Sequence, residues 1–314
     1  MRTAVLLPCY NEAKTIAKVV ADFRDEPSTV VYVYDNNSTD DTARIAAGAG
    51  AVVVREYRQG KGRVVRSMFR DIDADVYLMV DGDDTYPADE ALAMRKFVAD
   101  GSADMVIGDR LSSTYFTENK RRLHGFGNRL VRFLVNRLFE SELKDIMTGC
   151  RCMSRTFVKT MPVMSGGFEI ETEMTIHALD KGFLLREVPI SYRDRGEGSV
   201  SKLNTVSDGT RVLGMLVLLF RDYRPMRFFG LVAVALALPA AVMFVVPLNE
   251  YLSTGLVTKF PTLIVSIGFG VASMLAFTCG VLLDSIRAQS RRSFEHELTR
   301  CRGDVGSRIG TPDR

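Results

Sequence analysis

Two long runs without a charged residue set the first limit on this chain. Phe228 to Leu248 is 21 residues long, and Phe260 to Leu283 is 24. At a rise of ~1.5 Å per residue, helices over these runs would reach roughly 31 and 36 Å, against a hydrocarbon core of ~30 Å. Two adjacent uncharged runs of this length predict a membrane hairpin rather than a pair of buried core helices. Pro239, Pro247 and Pro261 are compatible with it, because membrane helices tolerate proline. Arg221, Arg224 and Arg227 precede the first run, and Arg287, Arg291 and Arg292 follow the second. The linker Asn249 to Lys259 carries only Glu250 and Lys259. The positive-inside rule therefore predicts both termini in the cytoplasm and a short loop outside. The start, Met1 to Pro8, has too short an apolar stretch for a cleaved signal peptide.

Two further segments have an interfacial pattern. Phe126 to Phe139 sets Leu130, Phe133, Leu134, Val135 and Leu138 among Arg129, Arg132 and Arg137. That pattern suits a basic helix on an anionic membrane surface, and equally a core-packing helix with a solvated arginine face. Val212 to Phe220 is apolar on all sides but too short to span. It fits a juxtamembrane helix within residues 206–227, leading into the first run. The tail, 284–314, has seven arginines against five acids and no apolar periodicity, and is expected to be partly irregular.

Residues 1–205 alternate short β-rich runs with helical patterns. Ala4 to Leu7, Val30 to Tyr34, Ala51 to Val54, Val76 to Val80 and Met105 to Ile107 read as buried strands. Ala13 to Phe23, Thr39 to Ala47, Lys61 to Ile72 and Ala88 to Val98 read as helices, with Asn11 and Ser38 as caps for the first two. The alternation predicts an α/β domain with a mostly parallel, Rossmann-like sheet. Ligands of such sheets sit beyond the carboxyl ends of the strands. The polar clusters Tyr10-Asn11-Glu12, Asp35-Asn36-Asn37-Ser38 and Asp81-Gly82-Asp83-Asp84-Thr85 fall there.

Several functions are excluded. A net charge of +3 without a basic aromatic stripe gives no case for nucleic acid. Five scattered cysteines do not make a disulfide scaffold, and His124, His177 and His296 lie too far apart for a histidine zinc site. Cys150 and Cys152 read as packing residues, and His124 and His177 as structural ones. Neither a G-x-G-x-x-G after the first strand nor a G-x-x-x-x-G-K-[ST] occurs, which removes nicotinamide dehydrogenases and P-loop enzymes.

Asp81 and Asp83, spaced i, i+2 at a strand end with glycine between, can converge on one hard cation. Oxygen ligands favour magnesium or manganese shared with substrate phosphates. Alone, the same triplet is also a solvated Asx turn. Its setting decides between them: Gly60-Lys61-Gly62 offers a cationic loop for a diphosphate, and the first two strand ends offer amides and acids for a nucleoside. Metal, nucleoside and diphosphate together describe a nucleotide-sugar site.

Pro8-Cys9-Tyr10-Asn11-Glu12, Asp35 to Asp40, Asp81 to Thr85 and Asp145-x-x-Thr148-Gly149-x-Arg151 resemble glycosyltransferase family 2. Phe168 to Met174, Glu187-Val188-Pro189-Ile190, and Asp194-Arg195 followed by Ser201-Lys202 narrow the likeness to the polyprenyl-phosphate glycosyltransferases. That group contains dolichol-phosphate mannose synthase and bacterial undecaprenyl-phosphate hexosyltransferases, and its bacterial members carry a two-helix C-terminal anchor. The resemblance covers roughly residues 3 to 230. It implies a GT-A fold, Mg2+ or Mn2+, and inverting one-step transfer of a hexose from a nucleotide diphosphate sugar to a membrane polyprenyl phosphate. UDP-glucose or UDP-N-acetylglucosamine is the favoured donor, with GDP-mannose the alternative. It also implies a bacterial-type cytoplasmic membrane location and self-association.

By the same resemblance, Pro8, Tyr10, Glu12 and Asp35 line the nucleoside pocket, and Lys61 meets the diphosphate. Asp81 and Asp83 approach the diphosphate and metal, with Thr85 where some relatives place a glutamine ligand. Asp83, Asp145 and Arg195 form the reacting centre. Asp145 is expected to orient substrate rather than remove a proton, since a phosphate monoester with a second pKa of ~6 is already largely dianionic. Arg110, Arg121, Arg122, Arg151, Arg195, Ser201 and Lys202 are the candidates for the acceptor phosphate, the arginine fork suiting that group. Two other readings compete. A processive polysaccharide synthase needs a Q-x-x-R-W pattern, which a chain without tryptophan lacks. A membrane-anchored nucleotide-sugar binder leaves the acids and the basic motif without a task.

Overall fold

The computed structural model describes residues 1–112, 124–167, 169–193, 217–218 and 220–306. The chain divides into two compact units, Met1–Thr205 together with Phe294–Arg314, and Val206–Ser293.

The first unit is built on a seven-stranded sheet in the order β3-β2-β1-β4-β6-β5-β7. Its strands are β1 (Thr3–Cys9), β2 (Thr29–Asp35), β3 (Val52–Arg55), β4 (Val76–Met79), β5 (Met105–Asp109), β6 (Arg151–Ser154) and β7 (Leu185–Pro189). The helices between them are α1 (Ile16–Arg24), α2 (Thr42–Gly48), α3 (Lys61–Asp71), α4 (Ala88–Ala93), α5 (Arg95–Ala99), α6 (His124–Phe139), α7 (Arg155–Thr160) and α8 (Ile170–Lys181). The expected α/β class holds. Pairing is parallel across β3-β2-β1-β4, as expected for strands joined by crossover helices. β6 was not foreseen; it runs antiparallel to both β4 and β5 and splits the sheet into two halves.

Of the strands expected to be buried, β1 and β4 are buried on both faces, whereas β3, at the sheet edge, has no buried residue and leaves Val52 exposed, which corrects the reading of Ala51 to Val54 as a buried strand. Every residue of β4 is buried, as are Val5, Leu6 and Leu7 of β1. Cys150 and Cys152 are buried packing residues, as expected. Ser154 accepts a hydrogen bond from Phe157 N and so caps α7, while Gly182, at φ 71°, closes α8 with its N–H on Ala178 O. The caps expected at Asn11 and Ser38 are corrected. The first helices start later, after Thr15 and Asp41. Asn11, at φ 55°, instead receives the Thr39 N–H at 2.8 Å, and its own N–H reaches Ser38 Oγ at 2.9 Å. These two residues fasten the loop after β1 to the loop after β2. In α6, Val131, Val135 and Leu138 are buried while Phe133 is exposed, so one stripe packs inward and one apolar ring faces out.

The second unit holds two apolar helices, α9 (Pro225–Thr254) and the start of α10 (Phe260–Gly306). Both are long and apolar enough to cross a membrane, with mean hydropathy 2.6 and 2.0. Only 11% of each apolar window is buried, which a soluble core helix would not show. Ser273 Oγ donates to Ala233 O at 2.8 Å between them, and a Cβ on Gly280 would stand 3.0 Å from Phe229 Cβ, so the two backbones approach at a small residue. α10 continues through Gly306, so the tail expected to be partly irregular is helical over 284–306, and 307–314 lie outside the described residues.

Candidate active site

Four acids and a lysine gather where β1, β2 and β4 end. Cys9, the last residue of β1, pairs in register with Asp35 of β2. Burial pushes the Cys9 thiol well up, and the negative charges of Glu12, Asp35, Asp81 and Asp83 push it further. Geometry brings the same groups near Cys9: a Cβ on Gly82, between Asp81 and Asp83, would stand 2.7 Å from Cys9 Sγ and 3.8 Å from Glu12 Cγ. Asp35 folds the following loop by accepting the Ser38 N–H on both carboxylate oxygens, each at 3.3 Å. Asn36 shapes the next approach: its amide donates to Glu56 O and Arg58 O, and its carbonyl accepts the Gly60 N–H at 2.7 Å. Pro8 and Tyr10 are half-buried on the same strand end, and Glu12 N is held by Thr42 Oγ1 at 2.9 Å.

Lys61 begins α3 directly after this loop. Its Nζ lies 2.6 Å from Asp81 Oδ1 and 2.6 Å from Glu171 Oε1, with only 10% of the side chain exposed. Burial alone would lower the ammonium pKa, but the two carboxylates hold it above its ordinary value. Glu171 stands in the Phe168-to-Met174 motif, yet sequence reasoning gave it no role. An acid at a helix start is the only signal the chain offers, and its partner lies far away in sequence.

Two glycines fit closely around Asp81-Gly82-Asp83. A Cβ on Gly149 would stand 2.3 Å from Asp81 Oδ2, and one on Gly82 would meet Cys9 Sγ at 2.7 Å. Thr15 Oγ1 donates to Gly82 O at 2.7 Å and ties α1 to the turn. Thr85, expected as a metal ligand, stands beside Asp83. It is buried, and its hydroxyl donates to Asp83 Oδ1 at 2.6 Å, so it orients that carboxylate. Among the described residues no group of three His, Cys, Asp or Glu is gathered as a ready metal shell. The donor chemistry still fits a hard divalent ion: Asp81 and Asp83 supply carboxylate oxygen, and substrate oxygens and water would complete the shell.

The other expected residues lie on the far side of β4. Asp145 is buried and forms a two-pronged pair with Arg110, at 2.7 Å to Nε and 3.0 Å to Nη2. Glu187 accepts the Asp145 N–H at 3.0 Å and sets its backbone. The pair turns Asp145 towards Arg110 and makes each the other's counter-ion. Arg151 is corrected outright. It is fully buried, and its guanidinium is spent on Ile146 O, Thr148 O and Thr175 Oγ1 at 2.6, 3.1 and 2.9 Å. Burial brings its pKa down to about 10. It joins strands and loops. Arg121, Arg122, Arg195, Ser201 and Lys202 lie outside the described residues.

A mostly parallel α/β domain with paired aspartates past a central strand and a lysine bridged between carboxylates has the architecture of the GT-A fold. Residues 4–161 match the profile Glycosyl transferase family 2, and the chain belongs to that family. It is 38% identical over 232 residues to glycosyltransferase AglJ of Haloferax volcanii, covering 74% of this chain and 76% of that protein. With dolichyl-phosphate hexose transferase of the same organism it shares 32% identity over 213 residues, 67% of this chain and 90% of that one. These relatives agree with the polyprenyl-phosphate glycosyltransferase group. Among solved structures, glucosyl-3-phosphoglycerate synthase from Mycobacterium tuberculosis, in complex with Mn2+, UDP and glucosyl-3-phosphoglycerate, superposes with a TM-score of 0.56 at 21% identity. The match covers 70% of this chain and 78% of that one, and it establishes the common fold.

Proposed function

We propose that the protein transfers a hexose from a nucleoside diphosphate sugar to a polyprenyl phosphate at a membrane, inverting the anomeric carbon. The carrying observation is the Lys61–Asp81 pair at 2.6 Å past β4, beside Asp35 at the end of the neighbouring parallel strands. A dolichyl-phosphate hexose transferase among the relatives and two apolar helices in this chain support the acceptor class. UDP-glucose or UDP-N-acetylglucosamine is the proposed donor.

Pro8, Tyr10, Glu12 and Asp35 hold the nucleoside. A divalent ion bound by Asp81 and Asp83 would neutralise the leaving diphosphate. Lys61 adds a fixed positive charge beside that position, and Glu171 keeps it aimed. An acceptor phosphate oxygen forms the new bond to the anomeric carbon as the bond to the diphosphate breaks, and the nucleoside diphosphate leaves with the electron pair. The attacking phosphate has a second pKa of ~6 and needs no proton removed at neutral pH. The chain therefore needs cations more than a base, and Arg195 and Lys202, with Arg121, Arg122 and Ser201, are proposed to hold the acceptor. The catalytic domain and both termini are proposed to face the cytoplasm, where the flanking arginines lie.

The test uses purified full-length protein with Mg2+ or Mn2+, undecaprenyl phosphate and a panel of UDP- and GDP-sugars, reading released nucleoside diphosphate. Lipid-dependent release from one donor, lost in Asp83→Ala, is the expected result. Nucleotide binding without release from any donor overturns the reading in favour of a binder.

A further inference from the structure

The back of α3 carries a second basic feature that the donor site does not use. Arg58, Arg63 and Arg66 line a cleft of about 410 Å3 whose opposite wall is Val163 to Gly166. At 3.6 residues per turn, Arg63 and Arg66 stand about 200° and 140° around the helix from Lys61. They therefore face away from Asp81 and Glu171, and both are exposed.

The guanidinium of neither Arg63 nor Arg66 has a hydrogen-bond or ion-pair partner among the described residues. Arg70, on the same stripe, is paired with Asp71 at 2.7 Å, and Arg58 is paired with Glu56 at 3.1 Å. The opposite wall is fixed. Glu173 accepts the N–H groups of Met164 and Ser165 at 2.9 and 2.8 Å, and Gly62 N donates to Gly167 O at 3.1 Å. The contact is close enough to require glycine: a Cβ on Gly60 or Gly62 would fall 2.0 or 2.1 Å from a backbone oxygen of Gly166 or Ser165. Two uncommitted guanidiniums thus face a preformed wall, with Met164, 80% exposed, beside them.

We infer that this cleft is a second phosphate-binding site, separate from the donor's diphosphate position and independent of the reaction proposed above. Two neighbouring guanidinium forks match the oxygens of a phosphate group, and no acid in the cleft competes for Arg63 and Arg66. The phosphate can belong to a lipid headgroup, whose chain would lie near exposed Met164, or be free in solution.

The experiment titrates full-length protein in an uncharged detergent with dihexanoyl phosphatidic acid and, separately, with inorganic phosphate, by calorimetry. Arg63→Gln/Arg66→Gln is the disabling variant; glutamine keeps the helix propensity of this exposed face. Arg63→Lys/Arg66→Lys retains the charge without the fork. The expected result is binding to the wild type, weakened at least tenfold in the glutamine variant and partly recovered in the lysine one. Binding of the phosphatidate alone identifies a lipid source, and equal binding of both probes identifies free phosphate. Absence of binding by the wild type, or equal binding by the glutamine variant with its Tm unchanged, overturns the inference.

Discussion

The two halves of the sheet treat charge in opposite ways. On the β3-β2-β1-β4 side, carboxylates crowd the strand ends, one lysine bridges two of them, and the side chain of Asp81 keeps 26% of its surface exposed. On the β6-β5-β7 side, Arg151 is wholly buried and Asp145 faces Arg110 through two hydrogen bonds. The first arrangement is one that an incoming cation or phosphate can rearrange. The second is built into the packing, and its ions cannot be drawn out without loss of structure. Charge in a motif therefore carries two meanings here, and burial with partner chemistry separates them.

The sharpest break of this contrast is Arg151→Met. Methionine fills much of the volume but leaves Ile146 O, Thr148 O and Thr175 Oγ1 without their donor. An unsatisfied buried acceptor costs about 1–3 kcal/mol, so roughly 3 kcal/mol in total is expected, or a Tm fall of roughly 6–12 °C followed by circular dichroism. A variant with unchanged Tm and lost turnover would put Arg151 in the reacting centre and dissolve the division between the halves.

Gly149→Ala tests the opposite side with a smaller perturbation. The added Cβ would stand 2.3 Å from Asp81 Oδ2, so the carboxylate must move. Turnover of the nucleotide sugar is expected to fall about 100-fold, or ~2.7 kcal/mol of barrier, with Tm within a few degrees of wild type. Turnover at the wild-type level would show that the position of Asp81 is not demanding.

What the chain discloses on its own follows the same division. β1 and β4 of the donor half are legible because burial on both faces writes them as unbroken apolar runs, β2 and β3 because their valines keep strand character at the sheet's edge side, and the ends of β2 and β4 place Asp35, Asp81 and Asp83 without further help. β6 is not legible: Arg151-Cys152-Met153-Ser154 is short and starts with an ion, and only folded carbonyls explain why that ion is buried. The Asp145–Arg110 pair escapes for a related reason. Both residues look like acceptor contacts singly, and nothing local says that they face each other. Asn11 and Ser38 are good capping types, but their hydrogen bonds run between loops that are distant in sequence. Lys61 is visible as part of a cationic loop, whereas Glu171 as its partner is a product of packing.

Helix α8 carries the contrast within one element and supports the smallest of these effects. Near its start Glu171 is ionic against Lys61, while His177, two turns on, sits among Phe157, Phe183 and Phe294. Its Nε2 has no hydrogen-bond partner among the described residues. Burial, then the nearby Lys181 charge, lowers the imidazole pKa from 6.5 to about 4, with Asp180 opposing weakly. The unfolded chain therefore binds a proton that the folded one refuses between these values, and stability rises with pH across the window. It is complete above 6.5 and is lost progressively as pH falls towards 4, at ~1.4 kcal/mol per unit, or ~2 kcal/mol between pH 7 and pH 5. His177→Phe keeps an aromatic ring in the cluster and removes the titration, so the difference in Tm between pH 7 and pH 5 should shrink by roughly 4–8 °C. An equal acid loss in wild type and variant would mean that the proton enters elsewhere.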